Sequence, residues 1–292
     1  MSAPPRRTPG LVSVIIPALD AALTIGDQLA ALGRQAGAPP FEVVVADNGS
    51  TDGTSDVARR YEGSLPALVV VDASSVRGAG PARNAGATAA SGDVLAFCDA
   101  DDIVSAGWLA ALERGLNASD FVTGPLVDLP TAASLPTQGG DAAYSTHTFI
   151  GGFRYAPSNN LAVRRDAFEA VGGFDATVLL AEDVDLSVRL SKVGVALSRA
   201  DDAVVHARLR PNTRAYVRQH YRYGKWDVAV VARHRDVLRP ERSRDVAQAW
   251  LGLVWWLPRL VGPADRRRTW LAPAAKRVGR IAGSIRWRTV CL

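Results

Sequence analysis

The sequence has few cysteines and no long hydrophobic run, and each shortage excludes a class of protein. The two cysteines, Cys98 and Cys291, are too few among 292 residues for a disulfide framework and favour a reducing compartment. No apolar run reaches the roughly 18–20 residues that cross a bilayer, and no apolar stretch of a signal peptide follows the basic N-terminus. We therefore expect a cytoplasmic protein, either free or attached peripherally to the inner face of the plasma membrane.

The formal net charge of +5 conceals two regions of opposite sign. Residues 1–206 contain 14 basic and 24 acidic side chains, whereas residues 207–292 contain 20 basic and 5 acidic ones. The basic region also holds six of the seven tryptophans. Such charge can bind nucleic acid, but the acidic body and the lack of a recognition motif argue against that partner.

Short hydrophobic runs alternate with segments of helical spacing along most of the chain. The predicted strands span residues 11–16 (stopped by a proline), 41–46, 67–71, 94–98, 121–127, 161–165 and 203–206. The predicted helices span residues 21–35, 51–61, 82–90, 108–116 and 184–193, with further helices after residue 211. This order predicts an α/β protein with a mostly parallel sheet, whose ligands bind at the carboxyl ends of the strands.

Two acidic clusters are the strongest candidates for a functional site. Asp99, Asp101 and Asp102 follow the predicted strand 94–98, and buried carboxylates there need a positive partner. A divalent metal that carries a diphosphate fits, because hard cations prefer carboxylate and phosphate oxygens. The alternative is a cluster that caps the helix before Trp108, a role that suits Asp102.

The second cluster, Glu182-Asp183-Val184-Asp185, opens a predicted helix. Acids in a first turn are favourable because of the helix dipole, which accounts for one or two of them. Three acids after an apolar approach suggest that one carboxylate is partly desolvated, as a general base requires.

Three further segments each allow a structural and a functional interpretation. Asp47 ends a strand and can accept a hydrogen bond from a uracil-like base, or can form an Asx turn. Arg83, after a glycine-rich turn, can reach the base or the phosphates, or can be an exposed arginine beside close helix–sheet packing. His206 at a strand end can be a third metal ligand or a structural histidine.

These residues together resemble the bacterial family 2 glycosyltransferases of the GT-A fold, over about residues 10–240. The resemblance rests on seven segments in one order, at residues 12–17, 47–52, 82–86, 99–102, 159–165, 172–175 and 182–186. It implies a Rossmann-like mixed, mostly parallel sheet flanked by helices, with a C-terminal helical extension. One departure is Asn48, since many members have a second aspartate there.

The resemblance also implies an activity and a role for each site residue. The activity is inverting transfer from a nucleotide-diphosphate sugar, with UDP favoured, to an acceptor hydroxyl, using Mg²⁺ or Mn²⁺. Asp183 would be the catalytic base, and Asn160 and Glu182 would contact the acceptor. Metal ligands would be Asp99, Asp101 and His206. The nucleotide sugar would contact Pro17, Asp47, Arg83, Asp99, Ala100 and Asp101.

The expected domain organisation follows from the same resemblance. Residues 1–10 would be disordered, 11–120 would bind the nucleotide sugar, 121–210 would bind the acceptor, and 211–292 would be the basic extension. The acceptor itself stays open, as a glycan, a lipid-linked or a small molecule, with cell-envelope glycan or glycolipid synthesis as the favoured role. The rivals are a retaining enzyme of the same fold and an inactive nucleotide-sugar-binding module.

The basic extension has its own two interpretations. Residues 250–257 are too few to span a bilayer, but they suit an interfacial helix flanked by arginines. This predicts peripheral membrane contact through residues 246–292. The alternative is a helical hairpin that packs its tryptophans on the catalytic domain.

Overall fold

The computed structural model describes residues 10–129, 147–208 and 212–291. The predictions of disorder for residues 1–10 and of a loop over residues 130–153 fall largely outside this part of the chain. The strands are β1 (Val12–Ala18), β2 (Phe41–Asp47), β3 (Leu68–Asp72), β4 (Val94–Phe97), β5 (Ile103–Val104), β6 (Phe121–Thr123), β7 (Leu126–Leu129), β8 (Leu161–Arg164), β9 (Leu197–Arg199) and β10 (Val205–Arg208). The helices are α1 (Ile25–Leu32), α2 (Thr54–Arg59), α3 (Ala79–Ala89), α4 (Trp108–Leu116), α5 (Arg165–Ala170), α6 (Glu182–Lys192), α7 (Thr213–Arg233), α8 (Ser243–Trp255) and α9 (Ala264–Trp287).

The main sheet has seven strands in the order β3-β2-β1-β4-β8-β6-β9. Neighbouring strands are parallel except around β8, which is antiparallel to both β4 and β6. A second sheet has the order β5-β10-β7. The prediction of a mixed, mostly parallel α/β fold is therefore confirmed.

Both faces of the main sheet are covered, which explains why its central strands are continuous hydrophobic runs. One hydrophobic core packs α1, α2 and α4 against the sheet, and the other packs α3, α5 and α6. Because β1, β2 and β4 are parallel, their carboxyl ends lie at one edge and deliver the residues that follow them to the same place.

Two strand predictions are wrong in detail. Pro17 does not stop β1, which pairs with β2 through Ala18; β4 pairs with β1 only as far as Ile15, so at Pro17 the strand has a paired neighbour on one side alone, as at a sheet edge. The single strand predicted for residues 121–127 is two strands, because the chain moves from the main sheet to the second sheet at Gly124. A Cβ on Gly124 would lie 1.9 Å from the carbonyl oxygen of Ala203, so this crossing requires glycine.

The helix predictions differ in accuracy. α4 begins and ends where predicted, whereas α1 is shorter than residues 21–35; Leu23, counted as part of its apolar face, lies before the helix and is 97% exposed. β5, β9 and α5 were not predicted; with two, three and six residues they are too short to show a periodicity.

The C-terminal extension consists of α7, α8 and α9. α7 and α9 approach closely through glycines: a Cβ on Gly224 would lie 1.8 Å from the carbonyl oxygen of Lys276, and one on Gly279 would lie 2.1 Å from that of Tyr221. In the described ranges, every helix falls short of the combined length and hydropathy that a membrane span requires.

The tryptophans of the extension differ in their surroundings. The rings of Trp226 and Trp287 are 5.6 Å apart, and Trp270 Nε1 donates to the carbonyl oxygen of Leu253 at 2.7 Å. These three tryptophans make contacts within the extension, between α7, α8 and α9, whereas the hairpin interpretation named the catalytic domain as their partner. Trp255, by contrast, is 83% exposed.

Side-chain bonds join the end of α7 to the part of the chain that precedes it, residues 10–208, which we call the catalytic body. Asp185 on α6 is fully buried and bonds His234 Nε2 at 2.7 Å and Arg189 Nε at 2.8 Å. Arg233, the last residue of α7, bonds Asp175. The extension is therefore fixed to α6, the helix that carries the second acidic cluster.

Candidate active site

A cleft of about 1510 Å³ lies between the catalytic body and the C-terminal extension. Its walls bring together four residues that the sequence pointed to, Arg83, Asp99, Glu182 and Asp183. The opposite wall consists of residues from α7 and α9. The two acidic clusters, about eighty residues apart in the sequence, thus share one cavity.

Arg83 lies between the two acidic clusters and is bonded to both. Its Nη2 donates to Asp99 Oδ1 at 2.7 Å, and its Nη1 donates to Glu182 Oε1 at 2.9 Å. The side chain is only 3% exposed. Burial alone would lower the pKa of Arg83, but the charges of Asp99 and Glu182 outweigh it and raise the pKa above its usual value. The structural interpretation of an exposed arginine is therefore wrong.

Residues next to Arg83 explain how α3 holds it in place. The side chain of Asn84 binds the loop before α6 through two hydrogen bonds. Its Oδ1 accepts from Phe174 N at 2.9 Å, and its Nδ2 donates to Phe174 O at 2.7 Å. At Gly86, a Cβ would lie 2.6 Å from Ile15 Cγ2, so α3 sits directly on β1. This close contact fixes the depth of Arg83 relative to the sheet.

Aromatic rings form the floor beneath Arg83. The guanidinium carbon lies 5.5 Å from the ring centroid of Phe174. Phe174 in turn packs against Phe97 at 5.4 Å and Phe168 at 5.7 Å. This apolar floor excludes water from one side of the cation, which strengthens its attraction to the two carboxylates.

Asp183 has the properties of a general base. Burial and the charge of Glu182 raise the pKa of Asp183 to about 7, although a hydrogen bond from Val184 N opposes the shift. A carboxylate with a pKa near neutrality can accept a proton during turnover and lose it again. The preceding Ala181 has left-handed backbone angles (φ 60°, ψ 28°) that cost a non-glycine residue about 1 kcal/mol. This left-handed residue is where the chain turns into α6, whose first residues, Glu182 and Asp183, line the cleft.

The other two acids of this cluster have different surroundings. Glu182 is ion-paired to Arg83, as described above. Asp185 faces away from the cleft, where burial would raise its pKa but hydrogen bonds from His234 and Arg189 hold that pKa below its usual value. Asp183 thus combines a position in the cleft with a raised pKa, whereas Asp185 has neither.

The first cluster offers a site for a divalent cation. Asp99, Asp101 and Asp102 each present a carboxylate oxygen, and these three oxygens lie within 4.8 Å of one another. Burial, together with the charges of Asp99 and Asp101, raises the pKa of Asp102 well above its usual value. Mutual repulsion and oxygen-only donors both fit a hard divalent cation such as Mg²⁺ or Mn²⁺.

Asp102 does not cap the next helix, contrary to one interpretation of the sequence. Its Oδ2 accepts from Asn159 Nδ2 at 2.6 Å, and its Oδ1 accepts from Arg208 N at 3.1 Å. The residue before α4 is instead Gly107. Asp102 therefore ties the acidic cluster to the Asn159 segment and to β10.

Asn160, a predicted acceptor-contact residue, is not among the residues that line the cleft. Asn160 is fully buried, and its amide bonds Trp108 Nε1 at 2.8 Å, Ala203 O at 2.8 Å and Pro125 O at 3.0 Å. With its side-chain groups already bonded to protein atoms, it cannot contact an acceptor. Its neighbour Asn159 lines the cleft instead.

His206 does not join the candidate metal site. Among the described residues, the group close enough to hold a cation contains the three aspartates and not this histidine. His206 lies in β10 opposite Ile103, and burial lowers the pKa of its ring. Asp102, which the sequence analysis assigned to a helix cap, provides the third carboxylate.

The remaining nucleotide-contact candidates lie at the same edge of the sheet, beyond the walls of the cleft. Pro17 pairs with Ala46, one residue before Asp47. Asp47 forms the Asx turn, accepting from Ser50 N at 2.8 Å and from Ser55 Oγ. Burial would raise the pKa of Asp47, but the bond from Ser55 and those from Ser50 lower it, so the carboxylate is charged. Ala100 is buried and lies between Asp99 and Asp101 in the chain.

The structure gives a reason for Asn48 where an aspartate is common. Asn48 Nδ2 donates to Ala73 O at 2.5 Å and to Val76 O at 2.9 Å, and its Oδ1 accepts from Gly78 N at 2.8 Å. A carboxylate cannot donate to two carbonyl groups. The amide therefore fixes the loop that leads into α3 and Arg83.

Sequence reasoning missed the residues that the extension contributes to the cleft. Tyr223 and Lys276 line it, together with Tyr155 of the catalytic body. Only the i, i+4 spacing of polar residues on α7 signals this wall in the sequence, and such spacing is common on solvated helices.

Comparisons with known proteins agree with this geometry. Two family models match the chain: the model described as glycosyl transferase family 2 over residues 13–130, and that described as glycosyl transferase family group 2 over residues 94–260. The chain is 33% identical over 257 residues to the glycosyltransferase AglE of Haloferax volcanii. The aligned region covers 85% of this chain and 82% of AglE. It is 27% identical to the pre-mycofactocin glycosyltransferase of Mycobacterium tuberculosis, covering 84% of this chain but about half of that protein (53%).

Solved structures share the fold at low sequence identity. The mannosyltransferase PcManGT from Pyrobaculum calidifontis, in complex with GDP-Man and Mn²⁺, has a TM-score of 0.63 and 19% identity, covering 96% of this chain and 88% of that one. S. aureus TarS 1-349 in complex with UDP-GlcNAc has a TM-score of 0.55 and 18% identity, covering 95% and 92%. These neighbours have the GT-A fold, and so does this chain.

Replacing Arg83 tests whether the buried cation holds the two acidic clusters together. Arg83→Met leaves Asp99 and Glu182 without their shared cation, so we expect the free energy of unfolding at pH 7.5 to fall by about 3–5 kcal/mol in urea denaturation. The matched control is Arg77→Met in the exposed loop before α3, which should change it by less than about 0.5 kcal/mol. A loss below about 1 kcal/mol for Arg83→Met would contradict this interpretation.

Proposed function

Because the chain belongs to glycosyl transferase family 2, we propose that this enzyme transfers a sugar from a UDP-sugar to an acceptor hydroxyl with inversion of configuration. The observation that carries the proposal is the pair of carboxylates, Asp99 and Asp183, on either side of Arg83 in one cleft. One belongs to a candidate cation site, and the other has the pKa of a general base.

The donor half of the proposed reaction uses the first acidic cluster. Asp99 and Asp101, with Asp102 behind them, would hold Mg²⁺ or Mn²⁺ and through it the donor diphosphate. The cation, when bound, stabilises the negative charge that develops on the leaving nucleoside diphosphate. Arg83 donates to Asp99 Oδ1 and so fixes this carboxylate at the wall of the cleft. Pro17 and Asp47 lie where a base could bind, and a carboxylate there can accept from the N3–H of uracil.

The acceptor half uses the second cluster. Asp183 would remove the proton of the acceptor hydroxyl as its oxygen attacks the anomeric carbon on the face opposite the leaving diphosphate. Attack from that face inverts the configuration of the sugar. Glu182, held by Arg83, raises the pKa of Asp183 and so makes it a stronger base.

We propose cell-envelope glycan or glycolipid synthesis as the setting, with peripheral membrane contact through the extension. The support is a group of exposed apolar side chains at and just beyond the end of α8, which we call the elbow; its Trp255 is 83% exposed. Arg259 lies 4.2 Å from the ring of Trp256, and Arg266 and Arg267 follow. The elbow consists of Leu251, Val254, Trp255, Leu257 and Val261. Tryptophan beside arginine is the pattern of segments that lie in a lipid interface.

Donor hydrolysis with Mn²⁺ tests the proposed reaction class and metal site. We expect the protein to release UDP slowly from a UDP-sugar in the presence of Mn²⁺ and not of EDTA. Asp101→Asn should reduce this rate at least about a hundredfold, because one charged oxygen ligand is lost. His206→Asn is the matched control and should retain the metal response.

Three results would contradict the proposal, and the third requires the transfer product. If Asp101→Asn hydrolyses donor like the parent, the metal site is elsewhere. If the parent binds UDP-sugars with Mn²⁺ but never turns them over with any acceptor, the inactive binding module is favoured. A product with retained configuration, assigned by NMR, would exclude the role of Asp183 as base in an inverting reaction.

The raised pKa of Asp183 predicts a specific pH dependence. Below about 7 Asp183 holds its proton, so kcat/KM should rise about tenfold per pH unit and then level off above pH 7. Asp183→Asn should lower the rate by about 10²–10⁴-fold and remove this dependence.

The stability of the same variant provides a check. A raised folded-state pKa means that the contribution of Asp183 to the free energy of unfolding declines as the pH rises through 7. Asp183→Asn should therefore be stabilised relative to the parent more at pH 8 than at pH 6. Asp185→Asn, the matched control on the same helix, should lose stability instead, because the pKa of Asp185 is lowered by His234 and Arg189. For the kinetic experiment described above, a parent kcat/KM that stays constant from pH 5.5 to 8 would argue against Asp183 as the base.

Vesicle flotation tests the membrane contact. The full chain should float with vesicles of phosphatidylcholine and phosphatidylglycerol, and should dissociate at high salt because each arginine near anionic lipid contributes about 1 kcal/mol. Leu251→Ser/Trp255→Ser should reduce binding, whereas Leu23→Ser, an exposed leucine outside the elbow, should not. Equal recovery of the parent with and without anionic vesicles would exclude the contact.

A further inference from the structure

The wall of the cleft opposite the acids carries an unusual concentration of positive charge. Arg214, Arg218 and Arg222, which we call the arginine row, are spaced four residues apart on α7, so that they occupy one side of the helix. All three are exposed and line the cleft. Lys276 on α9 adds a fourth basic side chain to the same wall.

The arginine row is not balanced by acidic residues of its own helix. α7 contains one acid, Asp227, and it is already bonded to Lys276 at 3.2 Å and Arg280 at 3.3 Å. Among the described residues, none of the three arginines forms an ion pair. Like charges at i, i+4 spacing destabilise a helix.

The position of the row in the helix is also electrostatically unfavourable. Arg214 lies in the first turn of α7, and that turn contains no acidic residue. The amino end of a helix already has a partial positive charge and favours anions over cations. The helix dipole and the arginines therefore add to one positive field inside the cleft, and an anionic ligand would relieve it.

This wall is close to the proposed reaction centre. Tyr223, one residue beyond Arg222, also lines the cleft. Burial and the nearby charges of Asp183, Glu182 and Asp99 raise the pKa of its phenol to about 12. The acidic wall that would hold donor and base thus faces the arginine row across the space where an acceptor would enter.

We propose that the arginine row binds a phosphate group carried by the acceptor, so that the acceptor is a phosphorylated compound whose hydroxyl is directed to Asp183. The proposal rests on the proposed function, since it names the substrate class for that cleft. The guanidinium fork of arginine matches phosphate oxygens in a bidentate arrangement. The donor diphosphate has a separate location at the acidic cluster, which leaves the row for a second anion.

Binding of octyl phosphate to the full chain, saturated with UDP and Mn²⁺, tests the proposal by calorimetry. With the donor site filled, we expect the parent to bind octyl phosphate and to bind octanol at least about tenfold more weakly. Arg218→Gln/Arg222→Gln should weaken octyl phosphate binding at least about tenfold, because two charge-assisted contacts are lost. The same variant should bind UDP as the parent does.

The matched control is Arg34→Gln/Arg60→Gln, which removes the same charge from exposed positions outside the cleft and should bind octyl phosphate normally. A single cooperative thermal unfolding transition in both double variants shows that they are folded. Inorganic phosphate distinguishes two sources of the group: if it displaces octyl phosphate at similar concentrations, a soluble phosphorylated acceptor is favoured, and if the alkyl chain is required, a lipid phosphate is favoured.

Three results would overturn the proposal. They are an absence of octyl phosphate binding to the parent, equal binding by Arg218→Gln/Arg222→Gln, and competition between octyl phosphate and UDP, which would assign the row to the donor. Metal-dependent release of UDP from a UDP-sugar, measured on the same samples, separates this failure from failure of the proposed function. Release without an arginine-dependent phosphate site overturns only the acceptor assignment.

Discussion

The candidate site depends on one buried cation, Arg83, that two carboxylates share. A buried arginine without partners would be very costly, and so would the two acids that it contacts. Each therefore fixes the others: α3 sets the position of Arg83, β4 delivers Asp99, and α6 delivers Glu182. Because Asp183 follows Glu182 directly, the position of the candidate base is a consequence of the same ion pairs.

The division of charge along the sequence becomes a division across the cleft. The acidic body provides one wall, with the aspartate cluster and the start of α6. The basic extension provides the opposite wall, with the arginine row of α7 and with Lys276. The bond between Asp185 and His234 attaches the extension to α6, and the bond between Asp175 and Arg233 attaches it to the loop before α6. The extension therefore forms part of the cleft that holds the candidate site, and it also carries the proposed membrane contact.

The sequence predicted the contiguous features of this site and missed those that arise in three dimensions. The α/β fold, α4 and the two acidic clusters follow from local patterns that survive folding. The sequence does not distinguish Asn160 from Asn159, because both lie in the turn after Pro157, and nothing in two adjacent asparagines says which side chain faces the ligand. Asp102 was assigned to a cap because its partners, Asn159 and the backbone of Arg208, are far away in sequence.

The most direct test of the central role of Arg83 is a double-mutant cycle on its two partners, read as the free energy of unfolding in urea at pH 7.5. With Asp99→Asn or Glu182→Gln alone, Arg83 retains one carboxylate; with both, the buried cation has neither. The double variant should therefore lose at least about 1 kcal/mol more than the sum of the single variants, and this excess should vanish when Arg83 is replaced by Met. Additivity within about 0.5 kcal/mol would contradict the account, because the two clusters would then be independent of the cation between them.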